Sequence, residues 1–384
     1  MTTLRWFRRS SKYKALATGF GLLLLGLVVC EENRAQAIAP VVGETQSRLV
    51  SLRVANDPSG VLWSVDLPYP GATAGSGVFV GVRDLELPPG STLVVRRPNS
   101  TVPELEIKAE GARTGPHWVP VMGSSAVVVE AIGNVSGTPW LRMQLEFGIA
   151  IPRGRPFSFR DPPRFEPLNT LSPSQYQETG KSVAAVYWVN GAQWRVCSGF
   201  MVSRHHFVSN HHCVATATDC ESARVIFDYR EQPDRVEPGR WFACKRVLDN
   251  TAVQAFDVGV LEIDVPAGIT NPPVPLMISE VGLQQGQPLA LLQHPFGWPM
   301  RLVREGCDVA KWPAKSPTEG SMADFGHRCD TADGSSGSPV LDKQGKVVGI
   351  HHWGFVEEPG YHDLNRAIRI EGPVFRFLSK LKEQ

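Results

Sequence analysis

Very little in this chain points to a charged partner. Its 39 Lys and Arg residues are matched by 38 Asp and Glu, a formal charge of only +1. That leaves no basis for a nucleic-acid or polybasic membrane partner. Metal-site spacings are missing as well. No His-Glu-x-x-His occurs and no two cysteines form a CxxC pair, so neither a metalloprotease nor a metal-binding module is supported. No metal and no cofactor are expected. Long apolar runs are absent beyond residues 15–29, and with 36 glycines and 31 prolines this favours β structure over helices. Cysteine is absent between Cys30 and Cys197, so the two halves of the chain are built differently.

What is present begins with an export signal. Arg5, Arg8, Arg9, Lys12 and Lys14 form a basic start, and ALATGFGLLLLGLVV (residues 15–29) follows as an apolar stretch too short for a comfortable membrane span. Ala35-Gln36-Ala37 supplies the small residues that signal peptidase needs. Residues 1–37 therefore read as a signal peptide, with an uncleaved anchor as the alternative. Arg8-Arg9 hints at a twin-arginine signal with poor flanks, and Cys30 lacks the preceding small residue of a lipoprotein site. The mature chain is expected to be secreted or periplasmic, free of the membrane, and a monomer. Cleavage removes Cys30 and leaves Cys197, Cys213, Cys220, Cys244, Cys307 and Cys329, an even set that reads as disulfides in an exported chain. Pairing of sequence neighbours is one of about fifteen connectivities, and spacing does not choose among them.

The 384 residues are enough for two domains. Residues 38–152 alternate like strands: Leu141, Met143, Leu145, Phe147, Ile149 and Ile151 occupy every second position, as do Trp63, Val65 and Leu67. Turn-rich LPPGS and IGNVSG separate apolar runs, so an antiparallel β-sandwich is expected there. It holds no titratable cluster and reads as an accessory domain. Residues 153–177 are proline-rich with little periodicity and read as a linker. Strands resume after it, and Val374, Phe375, Leu378 and Leu381 predict a short closing helix.

The chemistry lies in residues 178–384. CDTADGSSGSPV, residues 329–340, holds Gly334-Ser335-Ser336-Gly337-Ser338-Pro339. It resembles the nucleophile loop of trypsin-fold serine proteases, Gly-x-Ser-Gly-(Gly/Ser)-Pro. Glycines let such a backbone curl and aim N–H groups at one point, where a carbonyl oxygen gains charge in acyl transfer. The resemblance implies Ser336 as nucleophile, with the N–H groups of Gly334 and Ser336 as oxyanion hole. CSGFMVSRHHFVSNHHCV, residues 197–214, resembles the family's cysteine-to-histidine segment. It implies His212 as the base, a Cys197–Cys213 disulfide, and His211 as a neighbour that diverges from its companion. His205-His206 is given no chemical role. FDVGVLEIDV, residues 256–265, is similar to the segment carrying the family's buried aspartate and implies Asp257, with Asp249 and Asp264 competing. The order His, Asp, Ser is that of the trypsin fold and not of α/β-hydrolases or subtilisin.

The resemblance implies a chymotrypsin-like double β-barrel, all-β throughout, and a serine endopeptidase acting on polypeptides. Ser335 replaces trypsin's aspartate, and no Ile-Val-Gly-Gly start precedes the domain, so activation by a freshly cut N-terminus is not expected. The motif style is closer to bacterial glutamyl and lysyl endopeptidases. VVGIHHWG, residues 347–354, falls on the strand that lines the specificity pocket and pairs with substrate, bringing in His351, His352, Trp353 and Gly354. His351 and Thr331 match the pocket histidine and hydroxyl of glutamyl endopeptidases, suitable donors for a carboxylate. His352 matches a histidine beside the catalytic aspartate. Asp330 occupies the register of trypsin's acid for Arg and Lys, so a basic preference stays open beside the acidic one. The competing function is a catalytically silent, adhesive member of the fold.

Overall fold

The alternation along residues 141–147 becomes the strand Trp140–Ala150, in which Leu141, Met143 and Leu145 are buried and Arg142 between them is exposed. In this computed structural model, residues 39, 41–68, 77–111, 116–150, 156–158, 161–280, 282–354 and 364–382 are described. The signal peptide expected at 1–37 lies outside them. The strands Val41–Arg53, Trp140–Ala150, Gly77–Glu86 and His117–Met122 lie side by side in one sheet. A second sheet has the order Val61–Pro68, Ala126–Gly133, Ser91–Arg96, Pro103–Lys108. Val80, Val82 and Leu145 from the first sheet and Leu93, Val95 and Val129 from the second share one apolar core, which is the packing of a β-sandwich.

The next six long strands close on themselves. Val183–Asn190 pairs with Arg224–Glu231, then Val236–Leu248, Val258–Ile263, His206–Asn210 and Gln193–Met201, which returns to Val183–Asn190. A closed barrel leaves no open edge. A second curved sheet has the order Arg301–Val303, Ala290–Gln293, Pro339–Leu341, Val347–Trp353, Asn365–Arg369, Asp324–His327, Val309–Ala314. The segment leading into Ala290–Gln293 meets the last strand, where Leu289 N–H donates to Cys307 O at 2.8 Å and Val309 N–H to Gln287 O at 3.0 Å. Between the barrels, Phe200, Val208 and Val258 pack with Leu292, Leu302 and Ile350. The helix Gly372–Lys382 caps this core with Val374, Leu378 and Leu381. No described helix is long and apolar enough to cross a membrane.

Ala35–Gln384 forms a single compact unit. The strand Val41–Arg53 explains part of this, because it pairs first with barrel residues Gln193, Trp194 and Arg195 and then with Trp140–Ala150. Beneath that junction Phe79, Trp118 and Met122 of the sandwich share a core with Tyr187, Trp194, Ile226 and Tyr229 of the barrel. Trp118 and Trp194 meet edge-on at 5.3 Å. Gly81 makes room for Trp118: a Cβ there would sit 2.5 Å from its ring. Arg224 is buried at this junction, donating to Trp118 O at 2.8 Å and Ala223 O at 2.9 Å, and burial lowers its guanidinium to about 10.

Within 153–177, Pro156–Phe157 and Glu166–Pro167 are short strands and Ser174–Gly180 is a helix. Leu168 in the same stretch is fully buried.

Candidate active site

The strand His206–Asn210 delivers a turn at 211–213, closed by Cys213 N–H donating to Asn210 O at 3.2 Å. The Cys197–Cys213 disulfide ties that turn to the strand Gln193–Met201. The remaining bonds are Cys220–Cys244 and Cys307–Cys329, so all three join sequence neighbours. Cys197, His212 and Cys213 form a donor cluster within 4.8 Å, but the two sulfurs are bonded to each other, so neither offers a thiolate.

Asp257 follows the one-turn helix Thr251–Gln254, which Asn250 caps through Ala252 N–H at 3.2 Å. It sits at φ 66, a left-handed conformation that is costly for a residue with a Cβ. Its carbonyl accepts from His211 N–H at 3.0 Å and Asn210 Nδ2 at 3.1 Å. That backbone twist aims the carboxylate at His212. His212 Nδ1–H donates to Asp257 Oδ2 at 2.8 Å, and its backbone N–H donates to Oδ1 at 2.9 Å. Asp249 lines a groove with His211, and Asp264 follows the end of the strand Val258–Ile263 away from Asp257.

Asp257 Oδ2 also accepts from His352 Nδ1 at 3.3 Å, and His352 Nε2 lies 2.8 Å from Asp324 Oδ2. Both ring nitrogens of His352 thus face carboxyl oxygens, an arrangement that an imidazolium with two N–H donors satisfies. Burial alone would lower this ring. Asp324 and Asp257 outweigh it and raise it to about 9. Burial likewise pushes Asp257 up, but His212 and His352 overcome it and hold the carboxyl far below the usual range. Asp324, touching one cation on this ring, is left raised by its burial. Asp324 had no motif to announce it; it joins the site only because its strand lies two places from Val347–Trp353.

The nucleophile loop is fixed from within and without. Gly334 has φ 91 and Gly337 φ 86, which only glycine adopts readily. Ser335 Oγ accepts from Ala332 N–H at 3.0 Å, closing the turn where trypsin has an aspartate. Ser198, not singled out by sequence, binds Gly334 O at 2.8 Å and accepts from His294 N–H at 2.9 Å. Ser198 N–H donates to Ser336 O at 2.8 Å. A Cβ on Gly337 would strike Ser198 O at 2.1 Å and Ser209 Oγ at 2.4 Å, so this loop lies against the strand that ends at the His212 turn. Among the described residues no backbone hydrogen bond takes up the N–H of Gly334 or Ser336.

Residues 197–350 match the family model described as "Trypsin-like peptidase domain". This protein carries a trypsin-like peptidase domain. No curated protein sequence matches the chain significantly. Among solved structures, the chain is similar to Deg5 (23% identity, 51% of this chain, 87% of that chain, TM-score 0.40). It is also similar to a Glu endopeptidase (19%, 53% and 92%, TM-score 0.41) and to a serine endoprotease from Yersinia pestis (18%, 56% and 68%, TM-score 0.40).

In the peptidase domain the candidate pocket residues divide. Thr331 is fully buried, and its hydroxyl has no partner among the described residues. His351 is buried and its Nδ1 lies 3.2 Å from His327 Nε2, so one ring donates to the other. Burial holds His351 well below its ordinary value, and burial together with the nearby Arg366 guanidinium holds His327 at about 3. Both are neutral. Trp353 Nε1–H donates to Thr318 Oγ1 at 3.2 Å, and Gly354 follows at the half-buried end of the strand. Asp330 is fully buried, with Oδ1 accepting from Ser158 Oγ at 2.7 Å and Oδ2 from Arg164 N–H at 2.9 Å. His205-His206 stays apart from these groups; His206 Nδ1 pairs with Ser203 Oγ at 2.7 Å.

Proposed function

We propose that the protein is an exported serine endopeptidase that cleaves polypeptides through an acyl-enzyme, with a pocket suited to acidic side chains. The observation that carries this reading is the 2.8 Å bond from His212 Nδ1 to Asp257 Oδ2, made beside a glycine-curled loop bearing Ser336. With Nδ1–H committed to the carboxylate, His212 Nε2 is the acceptor that takes the proton from Ser336 as Oγ attacks the scissile carbonyl. The N–H groups of Gly334 and Ser336 receive the charge that develops on the carbonyl oxygen. His212 then returns the proton to the leaving amine, and a water repeats the sequence on the ester.

His351 and the Thr331 hydroxyl support acidic specificity. A substrate carboxylate offers acceptors that both can satisfy, and its charge would raise the His351 ring towards protonation. Asp330 supports the basic alternative less well, because both of its oxygens already accept hydrogen bonds. Cleavage of a peptide library by the purified mature protein tests the reading. Cuts after Glu and Asp are expected. Cuts confined to Lys and Arg would overturn the pocket assignment, and no cut in any sequence would favour the silent, adhesive reading. The β-sandwich and export of the chain belong to the proposal in the same way: an accessory domain beside a peptidase domain, delivered by residues 1–37 and acting as a monomer.

A further inference from the structure

Residues 156–158 and 161–168 touch three separate pieces of the peptidase domain. Pro156–Phe157 adds antiparallel to Thr331–Ala332, with Phe157 opposite Thr331 and Pro156 opposite Ala332. Phe165 stands edge-on to Phe296 at 6.5 Å and to Trp298 at 6.4 Å. Glu166–Pro167 pairs with Leu302 and Arg301, and Leu168 N–H donates to Met300 O at 3.1 Å while its side chain is fully buried. The first contact reaches the stretch just before the nucleophile loop. The second reaches the loop that lies behind Gly334, where a Cβ would meet Phe296 N at 3.2 Å and Gly297 N at 3.3 Å.

Asp330 joins these contacts. A carboxylate buried this completely is tolerated only when its oxygens are met by donors, and Ser158 Oγ and Arg164 N–H come from either end of the same short stretch. Arg164 is held further by an ion pair with Glu305. Both strand additions are backbone interactions; Pro156 and Pro167 bring no N–H to them, so each pairing is only two residues long.

We propose that residues 156–158 and 161–168 act as a fixed strap of the peptidase domain, and that Asp330 is the positioning residue that buckles it against the pocket wall instead of receiving a cationic substrate side chain. A cut that parts sandwich from barrels and keeps the wall intact then has to fall before residue 156. The kinetic part of this inference rests on the peptidase reading; the structural part does not.

The test uses the full mature chain with Asp330→Asn, which turns one acceptor into a donor, and Ser158→Ala, which removes one hydroxyl outside the pocket. Amide exchange at Thr331, which pairs with Phe157, is read alongside KM and kcat for peptides with Glu, Lys or Leu at the cleaved position. Asp330→Asn is expected to speed exchange at that amide by about tenfold or more and to raise KM for all three peptides alike, with kcat changing less. Ser158→Ala should shift both readouts in the same direction by a smaller factor, and it carries the test if Asp330→Asn fails to fold. Unchanged exchange in both variants overturns the strap, as does a loss confined to the Lys peptide. If the parent chain cleaves nothing, the peptidase reading fails while the exchange data still decide the strap.

Discussion

His352 Nδ1 lies 3.3 Å from Asp257 Oδ2, the same oxygen that accepts from His212 Nδ1 at 2.8 Å. One carboxylate oxygen thus serves the candidate base and a fully buried imidazolium, whose far side is anchored by Asp324 at 2.8 Å. The cation behind Asp257 keeps that carboxylate ionised and turned towards His212, a positioning effect exerted through Asp257 and not on substrate.

This arrangement sets an alkaline limit. The folded value of His352, about 9, lies above its ordinary 6.5. Its contribution to stability is therefore complete below about pH 6.5 and is lost as pH rises through 9. Urea midpoints measured from pH 6 to 10 are expected to fall across that window. His352→Gln should flatten the fall and cost about 3–5 kcal/mol at pH 7, because two buried carboxylates lose their cation. An unchanged alkaline slope in the variant would argue against a charged His352.

Asp257→Asn leaves the shape of the site but presents an amide to His212 Nδ1. Turnover is expected to drop by about 10⁴, the cost of a mis-set tautomer in this kind of triad. Asp249→Asn and Asp264→Asn should stay within a few-fold of the parent in kcat/KM. Near-normal activity of Asp257→Asn would move the carboxylate role elsewhere.

The sandwich and first barrel share Trp118, Trp194 and the strand Val41–Arg53. Trp194→Ala is expected to destabilise the chain by about 3–5 kcal/mol. Near- and far-ultraviolet circular dichroism should follow one coincident transition. Two separated transitions would show that the sandwich melts independently.

The Cys220–Cys244 bond closes a 24-residue separation beside the short helix Ala217–Ser222. The double Ser variant should lose about 2–4 kcal/mol with kcat retained, since neither cysteine touches the His212–Asp257 pair. Opening Cys197–Cys213 should lower kcat as well, because that bond holds the His212 turn. Equal kinetic effects of both removals would contradict this division.

Motifs carried in short loops were readable from sequence because their chemistry depends on neighbours along the chain: His212 beside Cys213, Ser336 between Gly334 and Gly337. The alternating residues of 141–147 likewise announced a half-buried strand. Asp324 and His327 were not readable, since each acquires its partner across strands and no spacing records it. Ser198 escaped for the same reason. Residues 153–177 read as a linker because apolar periodicity is the usual mark of structure, while Pro156–Phe157 and Glu166–Pro167 pair through the backbone. The partition of the chain into halves followed the cysteines. The contacts between those halves depend instead on a few aromatic side chains, Phe79 and Trp118 against Tyr187 and Trp194, scattered too widely to form a pattern.

The most direct test of the central claim is covalent. Purified mature protein treated with a serine-directed phosphonate at neutral pH, digested and analysed by mass spectrometry, is expected to carry one adduct, on Ser336. Labelling should vanish in Ser336→Ala and fall steeply in Asp257→Asn. A folded protein that takes up no label, or takes it up at another serine, would contradict the account.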